Sequence, residues 1–234
     1  MVLNVLNSNA PFAEINRTNI ALVPKVKNPS KMKDFHPISL NNVAYKLISK
    51  VLANHLKVVL PYLISENQSA FLTEHLIINN ILVAFELMHY LDHKKSGKDG
   101  YMVVKRDMSK AYNRVEWIFI EKVIRSLGFH ERWVDWILRC ITTVSYSVLI
   151  NGKSYGCITL SKGLRQGDPL LSHHFLLCTE AFSAMIMEAN NNQGLNGISI
   201  YRGSPKITHL FFTNDSLLFC KAREPNIGGD FGTV

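Results

Sequence analysis

The sequence predicts an α+β fold, and three observations predict it. Apolar residues recur at strand spacing in some stretches and at helical spacing in others, and the two kinds alternate along the chain. The last ordered stretch, residues 207 to 220, is two apolar arms around a polar turn, the pattern of an antiparallel hairpin. Finally, 47% of the 234 residues are hydrophobic, enough for one sizeable core or two small subdomains sharing one.

Each element follows from its residues. Thr18 to Val26 reads as a strand and Asn28 to Lys33 as a polar loop. Asn41 or Asn42 caps a helix. Val43, Leu47, Ile48, Val51, Leu52, Leu56, Val59, Leu60 and Leu63 recur there at helical spacing, with Lys46, Lys50, Asn54 and Lys57 on the opposite face. A second helix covers Asn79 to Lys94, and Lys94 to Gly100 is a loop by composition. Tyr101 to Asp107 is a strand, and Met108 to Arg114 a turn. Helices follow at Val115 to Leu127, stopped by Gly128, and at Glu131 to Thr143. Asn151-Gly152 joins strands Tyr146 to Ile150 and Lys153 to Leu160. Gly163 to Asp168 is a loop, and Leu170 to Asn190 a long helix. Ile198 to Tyr201, Ile207 to Thr213 and Leu217 to Lys221 complete the strands, and a disordered tail is expected from Arg223.

The formal net charge is +8, which fits either a groove tracking a nucleic-acid backbone or a merely soluble basic protein. Cys140, Cys157, Cys178 and Cys220 are widely spaced and read as free thiols, so an intracellular location, nuclear or cytoplasmic, is expected rather than secretion. No apolar run reaches the roughly eighteen residues of a membrane span, and the first residues show no signal pattern. His89 and His93 are four apart on a helix, but no third ligand follows at zinc-site spacing. Trp117, Trp133 and Trp136 read as packing residues.

Asp107 ends an apolar strand and Asp215 sits in the hairpin turn. Carboxylates at two neighbouring strand ends are able to converge on one point and hold divalent ions for phosphoryl transfer. Turn aspartates also arise simply because they hydrogen-bond their own backbone.

Further residues turn this pair into a pattern. Asp107-Met-Ser-Lys-Ala-Tyr112, Gly163-Leu-Arg-Gln-Gly-Asp-Pro169 and Phe212-Thr-Asn-Asp215, in this order, resemble palm motifs A, B and C of reverse transcriptases. They are most similar to those of plant non-LTR (LINE-type) retrotransposons. Leu22-Val-Pro-Lys-Val-Lys27, Asp34-Phe-His-Pro-Ile-Ser-Leu40, Ser65-Glu-Asn-Gln-Ser-Ala-Phe71 and Arg114-Val-Glu-Trp117 extend the resemblance over roughly residues 15 to 222.

The resemblance implies a right-hand polymerase with fingers and palm, its antiparallel palm sheet packed on helices, and no thumb in this stretch. It divides the chain into a lead-in (1–17), a fingers-like region (18–100), a palm (101–222) and the tail (223–234). It implies RNA-directed DNA synthesis on an RNA template and DNA primer from deoxynucleotide triphosphates, with two Mg²⁺ ions. Asp107 and Asp215 would be the catalytic metal ligands. Tyr112 would be the steric gate beneath the incoming sugar; its other reading is a core aromatic. Lys110 and Ala111 would lie near the triphosphate. Gln166 would contact the nucleotide, with Gly167 allowing close approach; a loop glutamine capping the helix is the alternative. Lys25 and Lys27 would face triphosphate or template, or be simply solvated. No membrane association is implied.

The chain also departs from the family. Asn214 stands where the hairpin has its first aspartate, His36 where a triphosphate-gripping arginine is expected, and Asn113 at another aspartate. Thr73-Glu-His75 replaces Pro-Gly-Arg. Arg106 shares a strand face with Val104 and directs a charge into packing. Several of these changes each need one G-to-A transition, the mark of a decayed copy of a silenced element. The expectation is a defective polymerase site; the other expectation is a non-catalytic nucleic-acid-binding remnant.

Overall fold

A computed structural model describes residues 12–68, 76–94, 100–108, 111–192, 195–201, 203–212 and 215–222. Lys110, Asn214, the 73–75 substitution, most of the loop before Gly100 and the tail lie outside them. In chain order the elements are β1 (Arg17–Pro24), β2 (Phe35–Asn41), α1 (Val43–Leu63), α2 (Ile77–His93), β3 (Tyr101–Asp107), α3 (Trp117–Ser126), α4 (Glu131–Thr142), β4 (Ser145–Ile150), β5 (Lys153–Thr159), α5 (Leu171–Asn191), β6 (His209–Phe212) and β7 (Asp215–Lys221). Single helical turns occur at Phe12–Ile15, Met32–Asp34 and Ala111–Arg114. The α+β class is as the sequence predicts.

These elements form two compact units that interleave along the chain. Unit 1 takes Met1–Leu60 and Lys110–Cys178; unit 2 takes Pro61–Ser109 and Thr179–Val234.

Unit 1 is built on a four-stranded sheet in the order β2-β1-β4-β5. β1 runs antiparallel to β2 and parallel to β4. β2 is a strand the sequence reading missed, because Pro37 at its centre argues against one. Proline is tolerated there because β2 is an edge strand. At the other edge, Gly156 (φ 69°) sits in a bulge of β5 that shifts its register with β4. Proline on one edge and a bulge on the other both discourage edge-to-edge pairing. The β4–β5 turn is as predicted: Asn151 and Gly152 both have positive φ, 48° and 78°, as a type I′ turn requires.

Asn42 caps α1, its Oδ1 accepting from the amide of Ala44 at 2.8 Å. The buried face of α1 runs Tyr45, Ile48, Leu52, Leu56 and Leu60. Val43, Leu47, Val51 and Val59, expected inside, are exposed instead. The apolar residues of α1 cover more than half its circumference, and one packed neighbour layer covers only one stripe. The lysines of α1 are exposed as expected. α3 and α4 bury Ile120, Ile124, Val134 and Ile137. Trp133 lies among Phe129, Trp136 and His55, with ring centroids 6.1–6.3 Å apart.

Unit 2 is a three-stranded antiparallel sheet, β3-β7-β6. Alternation sends Tyr101, Val103, Leu217, Phe219 and Leu210 to one face, where Ala84 and Leu87 of α2 cover them. Met102, Val104, Phe211, Leu218 and Cys220 point to the other, under Phe182 and Ile186 of α5. The predicted strand at Ile198 to Tyr201 reduces to one bridge, Ile198 to Ile207. Gly197 explains the close approach: a Cβ there would lie 2.9 Å from the carbonyl oxygen of Ile207. Among the described residues no helix is long and apolar enough to cross a membrane.

Candidate active site

β3 and β7 place two carboxylates side by side. Asp107 is the last residue of β3, Asp215 the first of β7, and the two are direct cross-strand partners. Directly opposed residues share a face, with Cβ atoms about 5 Å apart. Like charges so placed repel, so this rung of the sheet favours a cation. Lys105, two residues earlier on the same face, supplies one: its Nζ lies 3.7 Å from Asp215 Oδ2. Asp107 is exposed and Asp215 half-buried.

A packed frame holds this rung in place. Arg106 points to the opposite face with Val104, as its alternation requires, and its guanidinium lies 6.0 Å from the centre of the Phe182 ring. On β6, Phe212 pairs with Asp215. The segment before α2 braces β6 from its free side. The amide of Phe211 donates to the carbonyl of Asn67, and Asn80 Nδ2 donates to the carbonyls of Asn67 and Phe211. Gln68 Nε2 donates to Thr179 Oγ1, and the amide and hydroxyl of Ser65 both donate to Glu180. The Ser65-Glu-Asn-Gln68 motif is therefore a brace for the hairpin. His209, fully buried, contacts Ser183 Oγ through Nε2 and Thr208 Oγ1 through Nδ1, both at 2.8 Å. Burial lowers its pKa to about 4, so the ring is neutral.

The remaining site candidates lie in unit 1. The loop after β5 is joined to the helical turn at Tyr112 by a backbone pair: Gly163 N donates to Val115 O and Leu164 N to Tyr112 O, both at 2.7 Å. Trp117 Nε1 donates to Gly163 O at 2.8 Å. Ala111 is buried, and Tyr112 is half-buried with its ring 4.8 Å from that of Phe175. Burial raises the Tyr112 pKa. Gln166 is exposed, and Gly167 (φ 82°) leaves room beside the carbonyl of Ser39 in β2. Lys25 and His36 are exposed at the open end of the β1–β2 pair, where Lys25 N donates to Asp34 O. The structure thus brings Asp107 and Asp215 together in one unit, and Tyr112, Gln166 and Gly167 onto linked segments of the other.

The residue the sequence reading passed over is Arg165. It is buried, donating to Thr18 Oγ1 at 2.7 Å, to Asn16 Oδ1 and to the Cys140 carbonyl at 3.3 Å. Its Nε faces Asp168 Oδ2 at 3.7 Å, and its guanidinium lies 4.0 Å from the centre of the Tyr45 ring. Tyr45 OH donates to the same Asp168 oxygen, while Asp168 Oδ1 accepts from Leu170 N at 2.9 Å in the turn before α5. Burial raises the Asp168 pKa, and Arg165, Tyr45 and the Leu170 amide oppose it. The only advance signal was position: an arginine and an aspartate flanking Gln166-Gly167 in a loop.

Asp107 and Asp215 offer only carboxylate oxygens, the donors that hard divalent cations take, so they fit Mg²⁺ in kind. Among the described residues no group of three or more His, Cys, Asp or Glu is placed to hold a metal. His89 and His93 stack with centroids 4.1 Å apart. All four cysteines are free.

The family model described as reverse transcriptase (RNA-dependent DNA polymerase) matches residues 23–228. The chain is 23% identical over 202 residues to the transposon TX1 uncharacterized 149 kDa protein of Xenopus laevis, covering 86% of this chain and 15% of that protein. It is 24% identical over 201 residues to the Pol polyprotein of a type-1 retrotransposable element R2 of Popillia japonica, covering 84% of this chain and 26% of that one. An uncharacterized mitochondrial protein of Arabidopsis thaliana is 46% identical over 68 residues, 29% of this chain and 56% of that protein. The chain thus spans about a quarter or less of the two transposon proteins. Among solved structures, telomerase from Candida tropicalis with a telomeric RNA fragment superposes with a TM-score of 0.56 at 12% identity, over 91% of this chain and 37% of that one. That likeness shows a shared fold.

Proposed function

The chain belongs to the reverse transcriptase (RNA-dependent DNA polymerase) family, and from that premise we propose that it is the fingers-and-palm part of a non-LTR retrotransposon polymerase whose catalytic site has decayed. The observation that carries the reading is the rung Asp107–Asp215, two carboxylates opposed across β3 and β7. These two side chains would hold Mg²⁺, which supplies Lewis-acid activation of a primer hydroxyl and neutralises charge on the phosphates. Tyr112, held by Phe175 and by its link to the Gly163 loop, would limit the space beneath the incoming sugar. Gln166 would meet the nucleotide from the same loop, with Ala111 and Lys110 toward the triphosphate.

Two substitutions support decay. Asn214 offers a neutral amide oxygen where the resemblance calls for a carboxylate. His36 lacks the planar five-donor fork of arginine. Lys105 already pairs with Asp215, so fewer anionic oxygens remain for a divalent cation. That ion pair and the basic net charge also favour a second reading, a nucleic-acid-binding remnant without catalysis.

Primer extension on an RNA template with Mg²⁺ and deoxynucleotides separates these readings. The double variant Asn214→Asp/His36→Arg is expected to incorporate about a thousandfold faster than the unmodified chain, equivalent to about 4 kcal/mol. Adding Asp107→Asn should abolish that gain. Equal incorporation by the unmodified and double-variant chains sinks the decay reading. No incorporation by either chain, with RNA binding retained, favours the remnant.

A further inference from the structure

The net charge of +8 is not spread evenly. Unit 1 carries 17 Lys and Arg against 7 Asp and Glu, whereas unit 2 carries 9 against 11. All the excess positive charge, and more, belongs to unit 1. Five of the unit 1 acids are already engaged within it: Glu121 and Glu131 with Arg125, Asp135 with Arg139, Glu116 with Lys162 and Asp168 with Arg165.

One surface of unit 1 has no such partners. Helix α1 contains no acidic residue. Lys46, Lys50 and Lys57 lie along one side of it, all exposed, and none enters an ion pair among the described residues. Their spacing of four and seven residues keeps them within about 40° on the helix and spread over about 16 Å of its length. His173, on the first turn of α5, is within electrostatic range of Lys50 and Lys57. Its pKa is lowered by burial first, with the charges of Lys50 and Lys57 adding to that shift. The row is therefore positive charge without an acidic partner among the described residues, and a chain of anions is the partner that complements it.

We propose that the Lys46–Lys50–Lys57 row of α1 is a docking track for the phosphate backbone of single-stranded RNA. The proposal rests on the reverse transcriptase reading for its choice of polyanion. The remaining support is charge complementarity, which carries no sequence preference. An anionic lipid surface is the competing occupant, because Val43, Leu47, Val51 and Val58 are exposed beside the row. One feature favours RNA: the exposed Asn54 interrupts that apolar strip.

The test is the salt dependence of binding to a fluorescein-labelled single-stranded RNA of about 20 nucleotides, from about 50 to about 200 mM KCl. The triple variant Lys46→Gln/Lys50→Gln/Lys57→Gln should bind more weakly at every salt concentration. Its log–log slope should be shallower by about 2, roughly 0.7 for each phosphate that is no longer neutralised. Over the fourfold salt range, the unmodified chain then weakens by a factor about 16 times larger than the variant does. A control with Lys94, Lys206 and Lys221 changed to Gln removes the same charge from unit 2 and should leave the slope unchanged. Circular dichroism establishes that each variant is folded. An unchanged slope in the triple variant, or an equal change in the control, overturns the track while leaving the polymerase reading to stand on primer extension. Absence of RNA binding by the unmodified chain also overturns it. Row-dependent flotation on vesicles of phosphatidylserine and phosphatidylcholine, without row-dependent RNA binding, overturns it in favour of lipid.

Discussion

Arg165 shows how much one side chain can decide. It is a buried cation whose donors reach β1, the residue before β1 and the end of α4, while its Nε faces Asp168 in its own loop. Arg165→Met would leave the Asp168 carboxylate buried without its cation and strand the acceptors on Asn16 and Thr18. Breaking a buried ion pair in this way costs about 3–5 kcal/mol. Gln166→Ala, one position along but exposed, should stay within about 0.5 kcal/mol. Urea unfolding of both variants measures the contrast, and equal midpoints would remove Arg165 from its structural role. The sequence placed Gln166 in the loop but gave Arg165 no role. A lone arginine in a polar loop reads as solvated, and only the return of β1 and α4 to the loop reveals its acceptors. Asp107 and Asp215 were legible one at a time, each at a strand end. Their pairing is a property of register, which no single residue states.

At the scale of elements, local patterns served well where a local rule was sufficient. The strand to Asp107, the Asn151-Gly152 turn and the helices on either side of Gly128 follow from periodicity and turn chemistry alone. They failed where tertiary context decided. β2 exists despite Pro37 because it is an edge, and Ile198 to Tyr201 is not a strand because, among the described residues, its one bridge is to Ile207. The loop after β5 depends on glycine for a different reason. Gly163 has φ 93°, and a Cβ there would lie 3.0 Å from the carbonyl oxygen of Asn113. Gly152 has φ 78° with open space around it. Gly152→Ala should therefore cost about 1–2 kcal/mol, the left-handed conformation alone. Gly163→Ala should cost distinctly more, because it adds a clash with the backbone that carries Tyr112. Thermal unfolding distinguishes them, and a smaller loss for Gly163→Ala would contradict the tight link between the two segments.

At the scale of the whole molecule, the sequence supplied the class and the ordered motifs but not the interleaving of two units. Nor did it supply the concentration of positive charge in one of them; read linearly, the lysines look dispersed. Among the described residues each unit fully buries one histidine, and both rings are neutral. His174 in unit 1 is held to a pKa of about 3 by burial and then by His173, and His209 in unit 2 to about 4 by burial. Both values lie below the ordinary histidine value of about 6.5. As pH falls through that value, the unfolded chain takes up protons that the folded chain refuses. The stabilisation present above about pH 6.5 is therefore lost on acidification towards about pH 4, at up to about 1.4 kcal/mol per pH unit for each histidine. Asp168 works in the opposite sense, since a raised carboxylate pKa favours the fold at low pH, while His173, also lowered chiefly by burial, adds to the loss. Between pH 7 and pH 5 the loss should be about 2 kcal/mol per histidine. Urea titrations at the two pH values measure it. His209→Gln, which keeps a polar contact to Ser183 but cannot take up a proton, should remove about 2 kcal/mol of that pH dependence. If that variant is as acid-sensitive as the unmodified chain, His209 is not one of the groups responsible.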